Sequence, residues 1–338
     1  MSPVVDTSNS FQECKILIDS FFSIRQEIIQ ENSQSINDHI RFLFSTILVD
    51  ISKQLGEFGD FCKSIQSKNI SILDVNFNKL DQLRSVVQVI KYYQPVDQTI
   101  ADLFAKTDKQ FAVIYNIRVR LFVQFREFEK AFADSTRALE LDQDSPSSYT
   151  NNGIVYLELG LIDKAIEQFN KAISLSPEFE DAYLMCGRAY RKKVNDLIKK
   201  VNDLMNRRSI TANQREEVKK DITLAGRYFS TTIQLNANNI EALFERGLLY
   251  YEIGSTLKAI GDLTKVINSD RKEYFGVAYK YRALSYEKDG QKDKALEDCR
   301  NSLEIQPHQP EVIDCLVRLL PDPSVNVREI HIPHAVWF

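Results

Sequence analysis

Glycine and proline are scarce, at 11 and 9 of 338 residues, and histidine is scarcer still at 4. No glycine-rich phosphate loop, no G-x-S-x-G turn and no H-E-x-x-H pair occurs. The usual marks of nucleotide binding, of a serine nucleophile and of zinc hydrolysis are therefore missing. The 5 cysteines, Cys14, Cys62, Cys186, Cys299 and Cys315, are scattered, odd in number and never spaced C-x-x-C. Such a set reads as free thiols in a reducing compartment and argues against a disulfide frame or a zinc site. His331 and His334 form H-x-x-H, but Pro333 lies between them and no third ligand accompanies them. The expectation is no metal and no cofactor.

No charge sign dominates: 43 Lys and Arg against 47 Asp and Glu leave a net −4, too little to argue for nucleic acid as a partner. The most apolar run, RFLFSTILV at 41–49, is followed by Asp50 and Lys53 and falls far short of the roughly 20 residues a membrane span needs. The opening MSPVVDTSNSFQEC has no basic stretch leading into an apolar one, so no secretory signal is expected. These absences point to a soluble intracellular protein, with the cytoplasm as the default location and the nucleus open.

What is present is a spacing. GLIDKAIEQFNKAISLSP at Gly160–Pro177 returns as GQKDKALEDCRNSLEIQP at Gly290–Pro307. Gly153 is followed by Ala165, Ala172 and Pro177, and is flanked by Tyr149 and Tyr156. One step of 34 upstream, Val119 takes the glycine position, with Ala131, Ala138, Tyr115 and Phe122 around it. Downstream, Gly187 has Tyr183 and Tyr190; Gly247 has Ala259, Leu243 and Tyr250; Ala283 has Ala295, Tyr279 and Tyr286. Physically, two antiparallel helices approach closely only where small side chains meet, and the spacing predicts that Gly153 faces Ala165 and Ala172. Gly160 would end the first helix in a left-handed cap and Pro177 would stop the second. A single hairpin buries part of its apolar surface, and stacked neighbours bury the rest.

The pattern resembles the tetratricopeptide repeat, a 34-residue helix–turn–helix unit. The resemblance yields five units, at 112–145, 146–179, 180–239, 240–273 and 276–309. It implies an all-α fold: a right-handed superhelical array over 111–309, a helical N-terminal cap or degenerate repeats over 1–110, a closing helix at 310–320 and an extended tail at 321–338. Val119 and Arg126 depart from glycine in the first unit, Arg271 replaces the proline of the fourth, and Ser302 replaces the last alanine of the fifth. The third unit carries 26 extra residues between Gly187 and Ala225. Val194, Leu197, Ile198, Val201, Leu204 and Met205 keep a helical period there, and Thr211 with Gln214 suggests a capping box. Both helices of this unit should simply be longer, forming a basic hairpin at about 191–220 that includes Lys192, Lys193, Lys199, Lys200, Arg207 and Arg208.

The family's binding surface is the concave face, made by the first helix of each unit. On it the resemblance places Asn116, Arg120, Asn151, Arg188, Arg191, Phe244 and Lys280 as exposed partner-binding residues. The implied function is a protein-interaction scaffold or adaptor that holds a peptide or helix of a partner protein, with no catalytic residues. One use of the family is a clamp for the acidic C-terminal peptide of heat-shock chaperones. It needs Lys and Asn four apart on the first unit, Asn on the second, and Lys and Arg four apart on the third. Here those positions read Asn116 and Arg120, Asn151, and Asp181 and Met185, so only Asn151 matches; in the later units Glu241 and Glu245 carry the wrong sign. The alternatives are an RNA-associated or chaperone-associated cofactor using the basic hairpin, and an enzyme with an accessory array. No aromatic residue lies between Arg191 and Lys220, which argues against base stacking. Residues 1–110 show no strand alternation that an appended catalytic domain would bring.

Overall fold

The computed structural model describes residues 46, 49–53, 56, 81–82, 84–85, 98–205 and 211–320. All regular structure among them is helical. Beyond short helical pieces before residue 86, the order is α1 (Gln98–Gln124), α2 (Phe128–Leu141), α3 (Pro146–Glu158), α4 (Ile162–Leu175), α5 (Glu180–Met205) and α6 (Ala212–Leu235). Then come α7 (Ile240–Glu252), α8 (Thr256–Ile267), a 3-10 turn (Lys272–Tyr274), α9 (Phe275–Lys288), α10 (Lys292–Ile305) and α11 (Pro310–Leu319). Consecutive helices pack in pairs, α1 on α2, α3 on α4, α5 on α6, α7 on α8 and α9 on α10, with α11 on the last pair. The chain forms two compact bodies, one up to Ser176 and one from Pro177. The helical cap expected over 1–110 lies mostly, and the tail at 321–338 with His331 and His334 wholly, outside the described residues.

The helix boundaries follow local chemistry. Ser145 caps α3 by accepting from the Ser148 amide, with Pro146 at the first helical position. Asn239 caps α7 by accepting from the Ala242 amide at 2.8 Å. Thr211 and Gln214 form a reciprocal capping box at the start of α6. Three first helices end on a left-handed glycine, Gly160 (φ 77°), Gly254 (φ 76°) and Gly290 (φ 79°). In the first unit Arg126 holds the same conformation, φ 63°, with a side chain attached.

The close approach at Gly153 differs from the expectation. Ala165 and Ala172 are fully buried, but the space left by the missing side chain is filled by the Phe169 ring. A Cβ on Gly153 would stand 2.5 Å from Phe169 Cε1. Gly187 does the same for Phe229, 2.6 Å from a built Cβ, and Gly247 for Leu263 at 3.0 Å. The rule is therefore reciprocal in size. Where the first helix offers glycine, the residue sixteen on (counted without the insert in the third unit) is Phe169, Phe229 or Leu263. Where it offers Val119 or Ala283, the partner is Ser135 or Cys299, and all four are buried. Close packing makes the two sizes compensate one another in this array, a larger residue on one helix going with a smaller one on the other.

Candidate functional site

The first-helix face of the N-terminal body is built by α1 and α3. Asn116 and Asn151 were expected exposed, and this is corrected: they are 4 % and 3 % exposed, and at Asn116 the first helices α1 and α3 close on one another. The Asn116 amide donates Nδ2–H to Ser148 Oγ at 2.8 Å. Among the described residues its Oδ1 has no hydrogen-bond partner, nor has Asn151 Nδ2, nor Thr150 Oγ1 beside it. Arg120, one turn after Asn116, is half-buried and already engaged within the protein. Buried polar atoms without partners are uncommon in native proteins, and each asks what would complete it.

The same face of the C-terminal body is saturated. Arg188 of α5 donates Nε–H to Glu245 Oε1 at 2.9 Å and pairs with Glu241; Arg191 donates to Glu245 Oε2 at 2.6 Å and to Glu252 at 2.7 and 3.2 Å. All three glutamates come from α7, the next first helix. Burial disfavours the Arg188 charge, but Glu245 and Glu241 outweigh it and hold its pKa above the ordinary arginine value. Arg188 and Arg191 are thus not exposed groove cations as the sequence suggested, and the acidic sign of Glu241 and Glu245 is explained by them. Phe244 is also corrected: it is 9 % exposed, its ring 4.9 Å from that of Tyr274, inside an apolar cluster with Leu248 and Leu263. Lys280 reaches Glu311 of α11 at 3.1 Å, beside a pocket of about 360 Å³ lined by Tyr251, Tyr281, Leu284 and Asp314 among others.

A buried charge motif went unread in the sequence. Arg246 forms a two-pronged pair with Asp262 (2.7 and 2.9 Å), as does Arg282 with Asp298 (2.7 and 2.8 Å). Each arginine also donates its third arm to the preceding second helix, at Ser230 Oγ (3.0 Å) or Thr264 Oγ1 (3.1 Å). Arg118 repeats the pairing with Asp134 at 2.9 Å and adds Asp81 at 3.0 Å. One guanidinium thus ties both helices of a unit to a neighbour. The signal was there as Arg and Asp sixteen apart, three times. In the second unit these positions hold Asn152 and Gln168, and in the third Cys186 and Tyr228, which hydrogen-bond. Burial pushes the Cys186 thiol up to about 12, so it stays protonated. Cys299 and Cys315 are likewise buried and unbridged.

In the third unit, α5 has 26 residues and α6 has 24, where the helices of the fourth and fifth have 12 to 14. Lys193 lies 3.9 Å from Asp221 across this hairpin and Val194 is buried in it. Lys192 also has contacts inside the protein. The side chains of Lys199 and Lys200, and Arg207 and Arg208 altogether, lie outside the described residues. Among the described residues no three His, Cys, Asp or Glu side chains gather as a metal site, and no helix is long and apolar enough to cross a membrane.

The paired helices recur in every unit, with a glycine under a large side chain in the second, third and fourth and a left-handed glycine after the first helix of the second, fourth and fifth. A family model described as the TPR repeat matches residues 155–194. Over those residues the chain matches a tetratricopeptide repeat. Among similar proteins, Hsp70-Hsp90 organizing protein 3 of Arabidopsis thaliana is 24 % identical over 234 residues, covering 56 % of this chain and 42 % of that protein. Tetratricopeptide repeat protein 13 of Homo sapiens is 30 % identical over 97 residues, covering 28 % of this chain and 11 % of that protein. The chain spans about two fifths of the length of the organizing proteins it matches. A crystal structure of YrrB, described as a TPR protein with an unusual peptide-binding site, aligns with a TM-score of 0.44 and 22 % identity over 64 % of this chain and 97 % of that one.

Proposed function

We propose that this tetratricopeptide array is a protein-interaction scaffold, and that the first-helix face of its N-terminal body holds an extended segment of a partner protein. The observation that carries the reading is a set of atoms under that face with no hydrogen-bond partner among the described residues, Asn116 Oδ1, Thr150 Oγ1 and Asn151 Nδ2; each is closed to solvent, so a ligand reaches them where α1 and α3 part. An acceptor, a hydroxyl and a donor complement the amide and carbonyl groups of a peptide backbone. The relatives named Hsp70-Hsp90 organizing proteins support a role among chaperone assemblies. The charges favour a different peptide from an acidic one. Asp181 and Met185 supply no cations, and Arg188 and Arg191 are committed to glutamates. Binding here runs through neutral hydrogen bonds. The cytoplasm expected from the thiols is kept as the proposed location.

The test is selection of extended peptides on the full-length chain, followed by affinity measurement on Asn116→Ala/Asn151→Ala. The double variant should weaken the selected peptides about tenfold while keeping helicity. Unchanged affinity, or selection of strongly acidic C-termini only, overturns the reading in favour of another face or of a chaperone clamp.

A further inference from the structure

The cavity between α7, α9 and α11 holds polar groups left over from the ion pairing of the C-terminal body. Its volume is about 360 Å³, and Tyr251, Tyr281 and Leu284 line it beside two basic and two acidic side chains. Both bases are spent. Lys280 Nζ meets Glu311 Oε2 at 3.1 Å, and Arg318 donates to both oxygens of Glu287 at 2.8 and 2.9 Å. The remaining acid of the lining is Asp314, exposed on α11. Among the described residues no hydrogen bond or ion pair reaches its carboxylate. Arg318, one turn on, feels that charge but gives its donors to Glu287.

The phenol groups are left over too. The two rings meet edge to face with centroids 4.9 Å apart, and among the described residues neither hydroxyl has a hydrogen-bond partner. Each ring already draws a cation of the chain: Lys288 Nζ lies 4.1 Å from the Tyr251 centroid and Lys280 Nζ 5.4 Å from that of Tyr281. Burial, and after it Tyr281, Glu287, Cys315 and Glu311, hold the Tyr251 hydroxyl above the ordinary tyrosine value. That hydroxyl therefore stays protonated in negative surroundings.

We propose that this cavity seats an arginine side chain of a partner protein, its guanidinium between Asp314 and the hydroxyls of Tyr251 and Tyr281 and its stem along Leu284. An anion would have to break the Lys280–Glu311 or the Arg318–Glu287 pair to find a base. An ammonium is a point charge, whereas the free oxygens here come from three helices, and a planar fan of five N–H donors spans such a set. One exposed carboxylate holds a free cation by less than about 1 kcal/mol. The chain that bears the arginine must supply further contacts, so the source is a protein segment and not a small molecule. The ion pairs that saturate the first-helix face stay intact in this arrangement, because the charge that receives the visitor belongs to α11.

The test screens a peptide library with arginine fixed at its centre and randomised flanks against the full-length chain, with a matched library fixed as lysine. The tightest arginine peptides are remade with citrulline, which keeps the shape and loses the charge, and with lysine. Citrulline should weaken binding at least tenfold and lysine at least threefold. Asp314→Asn, at an exposed position, should weaken the arginine peptides at least fivefold with helicity unchanged. Tyr251→Phe/Tyr281→Phe, which keeps both rings, should weaken them at least threefold. Methylguanidinium should compete only at a concentration at least a hundredfold higher. No arginine binder, citrulline or lysine peptides of equal affinity, or indifference to both variants overturns the proposal. Methylguanidinium competing as well as the peptides assigns the cavity to a small cation and overturns it as well. Asn116→Ala/Asn151→Ala should leave this binding intact, and its loss there would place the peptide on the N-terminal face instead.

Discussion

The two bodies of this chain use one frame and finish its first-helix face in opposite ways. In the N-terminal body the face includes amide and hydroxyl atoms that find no partner among the described residues, at Asn116, Thr150 and Asn151. In the C-terminal body it ends in ion pairs: Arg188 with Glu241 and Glu245, Arg191 with Glu245 and Glu252, Lys280 with Glu311. A satisfied face gains stability and offers little to a visitor. An unsatisfied face costs stability that a ligand can return. On the reading proposed here, binding resides where a unit leaves its polar groups incomplete, since every unit presents the same helices.

The largest effect should come from breaking the satisfied face. Glu245 serves both arginines and is 11 % exposed at its side chain. Glu245→Ala should cost about 3 kcal/mol, because it strands two partly buried guanidinium groups. Asn151→Ala removes a buried donor that has no partner and should cost under about 1 kcal/mol. Urea midpoints of the two variants test the contrast. Equal losses would mean that the N-terminal face is as complete as the C-terminal one.

Next in size is the packing rule that both bodies share. Gly153→Ala drives a methyl to 2.5 Å from the Phe169 ring and should cost about 2 kcal/mol. Gly247→Ala meets the more yielding Leu263 at 3.0 Å and should cost less. Gly153→Ala/Phe169→Cys copies the pair Ala283 and Cys299 of the fifth unit. It should be less damaging than the sum of its single changes by about 1 kcal/mol or more. Simple additivity would show that the two sizes are independent.

That rule also marks how far the sequence could be read. The 34-residue step, the left-handed glycines and the long third hairpin were legible because each depends on spacing or on one residue's backbone freedom. The partner of Gly153 was misread as Ala165 and Ala172, since small-against-small is the simpler guess and a ring lying over a glycine leaves no local signature. Exposure of Phe244, Arg188 and Arg191 was misread for a different reason. Position on the first helix says which way a side chain leaves the backbone, but only the neighbouring unit decides whether Tyr274 or Glu245 is there to cover it. The Arg–Asp pairs sixteen apart were visible as text, yet charged residues that far apart on amphipathic helices ordinarily read as solvated.

Two carboxyl groups, one in each body, should also differ in the sign of their pH response, although burial raises Asp298 of the C-terminal body as it raises Asp134. Burial pushes the Asp134 carboxyl up to about 6, against the pull of Arg118 and Arg137 and with help from Asp81. Its folded pKa lies above the unfolded value of about 3.9, so the folded state binds more protons between them. Its contribution to stability is present below about pH 4 and fades as pH rises through 6. Glu287 in the C-terminal body is lowered, chiefly by its hydrogen bonds from Arg318. Its contribution is present above the ordinary glutamate range and fades as pH falls through its depressed value. Urea midpoints of wild type minus Asp134→Asn should therefore slope downward from pH 4 to 7, and those of wild type minus Glu287→Gln upward from low pH. Two curves of the same sign would refute the assignment.

The smallest effect expected is a gain. Gly254 and Gly290 close the first helices of two C-terminal units at φ 76° and 79°, where glycine meets no steric penalty. The first unit places Arg126 at φ 63° in the same turn, and a side chain there costs about 1 kcal/mol through its contact with the following carbonyl. Against that stands the greater chain entropy that glycine would bring to the unfolded state. The geometry of the turn is already the glycine geometry, with the Glu127 amide donating to the Phe122 carbonyl at 2.8 Å just as the Gln291 amide donates to that of Tyr286 at 2.9 Å. Arg126→Gly should then raise stability by about 0.5–1 kcal/mol, and Gly254→Ala should lower it by a similar amount. A loss on Arg126→Gly would mean that the arginine stem covers apolar surface worth more than the strain it imposes, and that the first unit departs from its fellows for packing and not by tolerance.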